Sequence, residues 1–245
     1  MDDARGILHL ENVSKSFGGL KVLNEITFTL EPGELVGLIG PNGAGKSTLF
    51  NVITSLYKPE SGDVYLRGKK ITGRAPYKLC HMGISRTYQL VKIFLSMTAL
   101  ENVMVGSVYG NLHGGKKALG RALEALELVD LAEKKDVVAG HMTLSDRRLL
   151  EVARALASMP VVTLLDEPMA GLNTSEIMKM LKVIEKARKE RNVTILWVEH
   201  KVAAIFHICD RVVVIDYGVK IADGKPEEIA KNPEVIEAYL GEAPA

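Results

Sequence analysis

The chain has 245 residues, a formal charge of +1 from 31 Lys and Arg against 30 Asp and Glu, and an apolar fraction of 47%. That length holds one large domain or a core with a subdomain, and that charge balance draws the chain to neither nucleic acid nor anionic lipid. Cys80 and Cys209 lack paired spacing, which fits a reducing compartment without structural zinc, and no apolar run nears the roughly 18 residues that span a bilayer, so a soluble cytoplasmic chain, free to dock on a membrane protein, is expected.

Met1-Asp-Asp-Ala-Arg5 leads into a strand pattern, not into the apolar core of a signal peptide. Ile7–Val13 alternates as a strand, and Val22–Leu30 does so again with Ile26, Phe28 and Leu30 on one face. Between them Ser14–Gly19 reads as a polar loop carrying one aromatic, Phe17, which either anchors the loop or stacks on a purine. Glu31-Pro-Gly-Glu34 is a turn, and Leu35–Ile39 is a continuous apolar strand. It runs into Gly40-Pro41-Asn42-Gly43-Ala44-Gly45-Lys46-Ser47-Thr48, after which Thr48–Ile53 reads as a helix. Asp63–Arg67 is a further strand, Ala75–Met82 a short helix, and Gly83–Leu90 contains Gln89 near its end.

From about Met97 the pattern turns helical. Thr98 and Glu101 have capping-box spacing, Leu119, Ala122, Leu123, Leu126 and Val129 fall at helical spacing, and Leu149, Val152, Ala153 and Leu156 repeat it. Tyr109–Gly115 is glycine-rich and reads as a loop. No strand pattern falls between about 90 and 158, which marks a helical insertion in an α/β chain. Strands return at Val161–Leu165, before Asp166-Glu167-Pro168, and at Val193–Val198, before Glu199-His200, with a helix between them capped near Asn173. Arg211–Ile215 and Val219–Ala222 flank a hairpin-like turn at Asp216–Gly218, and two short helices begin near Pro226 and Pro233.

Strand, glycine loop and helix at 35–53 form the context of a phosphate-binding loop. Its glycines let backbone N–H groups curl toward phosphate oxygens, and the helix N-terminus adds partial positive charge. Lys46 is placed to reach the β- and γ-phosphates and Ser47 to ligate Mg²⁺. Hydrolysis further needs a water and a group to orient it. Asp166 ends an apolar strand, as a carboxylate serving Mg²⁺ through its water shell does, and Glu167 follows beyond the strand end, placed to polarise the attacking water. His200 also lies just past a strand, where α/β sheets bind ligands, and can hydrogen-bond the γ-phosphate.

This set resembles the ATP-binding subunits of ABC transporters over essentially the whole chain. Gly40–Thr48 matches the Walker A loop, Leu164-Leu-Asp-Glu-Pro168 Walker B with its catalytic glutamate, and His200 the switch histidine. Gln89 falls where the family's Q-loop glutamine lies, a Mg²⁺ contact, and Ala170-Gly171-Leu172-Asn173 looks like the D-loop, with Asn173 where Asp is common. Phe17 matches the aromatic that stacks on adenine. The resemblance implies an α/β P-loop NTPase core (1–89 and 159–245) with an N-terminal antiparallel β subdomain and an inserted α-helical subdomain (90–158).

The signature motif departs from the family's Leu-Ser-Gly-Gly-Gln. Counting back from Val152-Ala-Arg-Ala-Leu156 puts it at Met142-Thr143-Leu144-Ser145-Asp146, where Leu144 and Ser145 replace glycines and Asp146 replaces Gln. In this family two ATPase subunits pair head to tail, so this motif acts on the partner's ATP. The implied assembly is a heterodimer with a second ABC ATPase and one weakened composite site, two transmembrane permease subunits, an extracytoplasmic binding protein acting indirectly, and no nucleic acid. Its place is the cytoplasmic face of the membrane, peripherally. Leu90, Val91, Ile93, Phe94 and Leu95 suit a groove for a permease helix. Gly83–Gln89, Met169–Asn173 and Ala222–Gly241 are most similar to the branched-chain amino-acid importer group. Two rival readings are a soluble ABC-type ATPase without a permease and a regulatory nucleotide-binding module with little turnover.

Overall fold

The computed structural model describes residues 6–110 and 116–240. They form two compact units, one from residues up to 76 together with those from 194 onward, the other from 77–193.

The first unit opens with an antiparallel sheet. β1 (Leu8–Phe17) pairs with β2 (Leu20–Leu30) on one side and with β4 (Ser61–Leu66) on the other, and β5 (Lys69–Lys70) closes the order β2-β1-β4-β5. Leu8 and Leu10 of β1 and Ile26, Phe28 and Leu30 of β2 are buried at period-two spacing, and a register shift between Ile26 and Leu23 buries Leu23 as well. The expected polar loop at Ser14–Gly19 is instead mostly strand, since β1 runs through Phe17 and only Gly18 and Gly19 turn. The polar residues are satisfied within the sheet: Ser14 Oγ accepts Glu25 N–H at 2.9 Å, and Ser16 donates its amide and hydroxyl to Glu60 at 3.0 and 2.8 Å. Between β2 and β4 lie β3 (Leu35–Ile39), buried at every residue, and α1 (Lys46–Ile53), which starts two residues earlier than the apolar pattern indicates.

The second unit follows with α2 (Pro76–Met82), β6 (Ile84–Arg86), α3 (Ala99–Gly110), α4 (Lys116–Leu128), α5 (Leu144–Ala157), β7 (Val162–Asp166) and α6 (Thr174–Arg191). β6 pairs in parallel with β7, a strand the sequence pattern does not announce because only Ile84 of its three residues is apolar. No named strand lies between 90 and 158 among the described residues, and α5 is buried almost all round among the helices. α3 carries on through Gly110, which shortens the expected loop at Tyr109–Gly115, and residues 111–115 lie outside the described residues.

The chain then returns to the first unit with β8 (Thr194–Val198), α7 (Val202–Ile208), β9 (Arg211–Asp216), β10 (Val219–Gly224), α8 (Pro226–Ile229) and α9 (Pro233–Leu240). β8 and β9 flank β3 in parallel and β10 pairs antiparallel with β9, so β3 is a central strand, and its unbroken apolar run is the cost of burial on both faces. Tyr217 and Gly218 both have positive φ, +41° and +77°, the geometry of a two-residue hairpin turn matched to strand twist.

Candidate active site

The phosphate loop joins β3 to α1 in the first unit. Lys46 is buried, and its ammonium donates to the carbonyls of Gly40 (2.5 Å) and Pro41 (2.7 Å), so the charge sits inside the curve of the loop. The hairpin turn braces the loop from outside, with Gly218 N–H donating to Ala44 C=O at 3.1 Å. α1 has no acidic residue in its first turn to neutralise its positive end, which suits an anion. Asn42, Gly43 and Ser47 are exposed, while Pro41, Ala44 and Gly45 are buried. Phe17 stands edge-on to Tyr57 at 5.2 Å and remains 44% exposed, so it keeps surface for a further aromatic contact. Leu38 of β3 is in register with Val198 of β8, and Gly40 and His200 each lie two residues beyond that pair. The register thus brings the loop's first residue and the exposed His200 to one edge of the sheet.

The second unit carries the carboxylates. Arg86 of β6 is in register with Leu164 of β7. Three residues beyond each stand Gln89 and Glu167, and they meet: Gln89 Nε2 donates to Glu167 Oε1 and Oε2 at 3.2 and 3.1 Å. Glu167 is buried and has a φ of +49°, a conformation that costs a non-glycine residue energy and turns its side chain at the strand exit. Asp166 pairs with Arg86 Nη2 at 2.7 Å through Oδ2, and its N–H donates to Thr87 Oγ1 at 3.1 Å. Asp166 Oδ1 is buried without a hydrogen-bond partner among the described residues.

In the signature segment, Thr143 is the N-cap of α5, and its hydroxyl oxygen accepts Asp146 N–H at 3.1 Å. The hydroxyl proton is still available to donate to an anion. Asp146 pairs with Lys134 at 2.6 Å, Met142 and Ser145 are buried, and Leu144 is half-exposed. Leu144 packs beside Gly171, where a Cβ would lie 3.0 Å from Leu144 Cδ2. In the D-loop segment Leu172 is buried, and Asn173 caps α6 in a reciprocal box with Glu176, at 3.1 and 2.9 Å.

Residues the sequence reading passed over tie these segments together. Glu151, buried in α5, accepts the N–H groups of Tyr88 (3.3 Å) and Lys92 (3.2 Å) through Oε1. Arg148 donates to Tyr88 C=O at 3.2 Å and reaches Ala170 C=O at 3.5 Å. Tyr88 itself lies under Arg86 and Lys92, whose charges stand 5.0 and 4.4 Å from its ring centre. Asn102, fully buried, holds the backbone of 94–98 with four bonds to Phe94, Met97 and Thr98. The available signal was charged residues at 148 and 151 between apolar neighbours of one helix. Downstream of Gln89, Leu90 is 77% exposed, Phe94 and Leu95 are exposed, and Val91 and Ile93 are intermediate, so none of the five apolar residues is core.

An orphaned buried carboxylate oxygen and exposed hydroxyls are hard donors suited to Mg²⁺, which takes one or two carboxylates plus substrate phosphates rather than a full protein cage. Among the described residues no cluster of three or more His, Cys, Asp or Glu could hold a metal by itself. No helix among them is long and apolar enough to cross a membrane.

The ABC transporter family profile matches residues 23–170, and that of the branched-chain amino acid ATP-binding cassette transporters matches 219–245. The high-affinity branched-chain amino acid transport ATP-binding protein LivG of Escherichia coli (strain K12) is 39% identical over 97% of this chain and 98% of its own. BraF of Pseudomonas aeruginosa, of the same description, is 39% identical over 98% and 100%. The crystal structure of an ABC transporter's ATP-binding cassette in its ADP conformation superposes with a TM-score of 0.87 at 33% identity, covering 96% and 99% of the two chains. A dimeric post-hydrolysis cassette bound to ADP and Pi gives 0.78 at 26%, covering 89% and 98%.

Proposed function

Because the chain belongs to the ATP-binding subunits of ABC transporters, we propose that it hydrolyses Mg-ATP to power an importer of branched-chain amino acids from the cytoplasmic face of the membrane. The observation that carries the substrate class is the match of residues 219–245 to the branched-chain cassette family, alongside full-length relatives of the same kind.

In this reading Gly40–Thr48 wraps the phosphates, Lys46 pairs with the β- and γ-oxygens, and Phe17 stacks on adenine. Ser47, Asp166 and Gln89 would hold Mg²⁺, partly through water, and the ion neutralises charge on the phosphate oxygens when bound. Glu167 takes a proton from the water that attacks the γ-phosphorus, while the bond to ADP breaks and His200 donates to the γ-phosphate. The Gln89–Glu167 hydrogen bonds support that role by fixing the carboxylate before reaction. The exposed apolar run at Leu90, Phe94 and Leu95, shaped by Asn102, suits a helix-in-groove contact with a permease.

The assembly is a heterodimer of this chain and a second ABC ATPase, with two permeases, fed by an extracytoplasmic binding protein. Met142–Asp146 serves the partner's ATP, and Ala170–Asn173 lies at the dimer contact. The side chains of Leu144 and Ser145, in place of glycine, weaken that composite site.

The test is leucine uptake into proteoliposomes carrying the copurified complex and its binding protein. ATP-dependent uptake of leucine, isoleucine and valine, abolished by Glu167→Gln with ATP binding retained, is expected. ATP hydrolysis without any copurifying permease would overturn the importer reading, and a wild-type complex that releases no phosphate would favour a regulatory module.

A further inference from the structure

Gln89 has no regular secondary structure to hold it. Residues 89–97 form neither helix nor strand, yet Gln89 meets Glu167 at hydrogen-bond distance. Something outside the loop must fix its path. Asn102 of α3 holds the far end of the loop at Phe94 and Met97, and within 88–92 the backbone bonds to side chains run to one face of α5. Glu151 Oε1 accepts N–H from Tyr88 and from Lys92, on either side of Gln89. Arg148, one turn earlier on α5, donates to Tyr88 C=O, and Arg154, one turn later, donates to Lys92 C=O. Both ends of the 88–92 segment are therefore clasped, donor to acceptor, by residues at i, i+3 and i+6 of the helix that begins at the signature segment.

We propose that Glu151 is a positioning residue for ATP hydrolysis, clamping the backbone at Tyr88 and Lys92 so that Gln89 stays on Glu167. The role rests on the reading of Gln89 and Glu167 given above. Glu151 touches neither nucleotide-binding nor reacting groups; it acts through the loop. A carboxyl group in a buried position is a costly way to fill space, and its two accepted amides, with Arg148 and Arg154 flanking it, offset part of that cost. The clamp also runs toward the D-loop, since Arg148 reaches Ala170 C=O.

The experiment is steady-state Mg-ATP hydrolysis by the assembled transporter, with kcat and KM separated, for E151A, E151Q, Q89A and the E151A/Q89A pair. Loss of the clamp lowers kcat about tenfold or more and leaves KM for ATP within about twofold, because positioning and phosphate binding lie on different residues. E151Q keeps an acceptor oxygen at the same reach and restores at least about half of the wild-type kcat. In the Q89A background E151A costs less than about twofold further, because both variants remove one effect. If E151A does not fold, E151D carries the test: it withdraws the carboxylate from the amides by one methylene and is expected to lower kcat likewise. An E151A or E151D enzyme at wild-type kcat, or an undiminished loss in the Q89A background, overturns the proposal. A fully active E167Q complex would instead overturn the reading of the site itself, whereas an inactive E167Q beside a wild-type E151A removes Glu151 alone.

Discussion

Gln89 and Glu167 are 78 residues apart in sequence and share two hydrogen bonds, at 3.2 and 3.1 Å. The pairing follows from register: β6 and β7 run in parallel with Arg86 opposite Leu164, and an equal count of three residues brings the amide and the carboxylate to the same edge. Because the amide donates to both carboxylate oxygens, it fixes the orientation of the group that faces the attacking water.

Replacing that amide separates positioning from charge. Gln89→Ala is expected to lower kcat about tenfold to a hundredfold with KM for ATP little changed, since it removes a group that orients the base. Gln89→Glu is expected to fall further at neutral pH, because two carboxylates at that distance cannot both ionise cheaply, and to regain part of the loss as pH falls and one of them takes a proton. Steady-state ATPase against pH checks both.

Arg86 and Asp166 form the most buried ion pair among those described, with side chains 8% and 4% exposed. Removing one partner of such a pair leaves an uncompensated charge and typically costs about 3–5 kcal/mol. Arg86→Ala should therefore lower the melting temperature more than truncation of exposed Lys70, whose ion pair with Asp63 is screened by solvent. Denaturant unfolding of the two variants measures the difference directly.

The sequence made legible whatever depends on burial or on local chemistry. The all-buried runs of β3 and β8 stand out because parallel central strands are apolar on both faces, and Asn173 reads as a cap because its acceptor oxygen suits a helix start. Asp166 and Glu167 were readable as a strand exit. Tertiary pairing stayed hidden. β6 has one apolar residue, so it becomes a strand only through β7, and Ser14 and Ser16 extend β1 only because Glu25 and Glu60 satisfy them. Nothing in the order of residues ties Lys134 to Asp146 or Glu151 to the amides of Tyr88 and Lys92, since those bonds depend on where a helix face lands.

Gly40 tests the phosphate loop's dependence on a backbone close approach. Its φ is +153°, and a Cβ there would lie 1.9 Å from the carbonyl oxygen of Ile215, a backbone atom that cannot move aside alone. Gly40→Ala is expected to destabilise the first unit by about 2 kcal/mol or more and to weaken ATP binding, because β3 must shift away from β9 to admit the methyl group. Thermal melting together with nucleotide titration detects both effects, and an unaltered melting temperature would contradict the account.

The altered signature can be isolated by silencing this chain's own water-activating carboxylate. In a complex carrying Glu167→Gln, the residual hydrolysis belongs to the partner's loop, which this chain serves with Met142–Asp146. Leu144→Gly together with Ser145→Gly should raise that residual rate by restoring close backbone approach, at a helix cost of about 1 kcal/mol per glycine. Thr143 remains as the cap in this variant, so the helix start is preserved. A rate unchanged or lowered, with folding intact, would mean that the two side chains do not weaken the composite site.

Glu151 supplies a pH dependence whose sign can be fixed in advance. Burial pushes its carboxyl above the ordinary value of 4.5, against the opposing pull of the Lys92 and Tyr88 amides and of Arg154 and Arg148. A group raised in the folded state contributes stability that is fully present below its unfolded pKa and is lost as pH rises through the folded value. Glu151→Gln removes that titration while keeping an acceptor for the amides. The melting temperature of Glu151→Gln minus that of the wild type should therefore grow from about pH 4 to about pH 8, in the direction of the variant. A difference that shrinks over the same range would mean that the two amides and the flanking arginines outweigh burial, which would place the folded value below the ordinary one and reverse the sign.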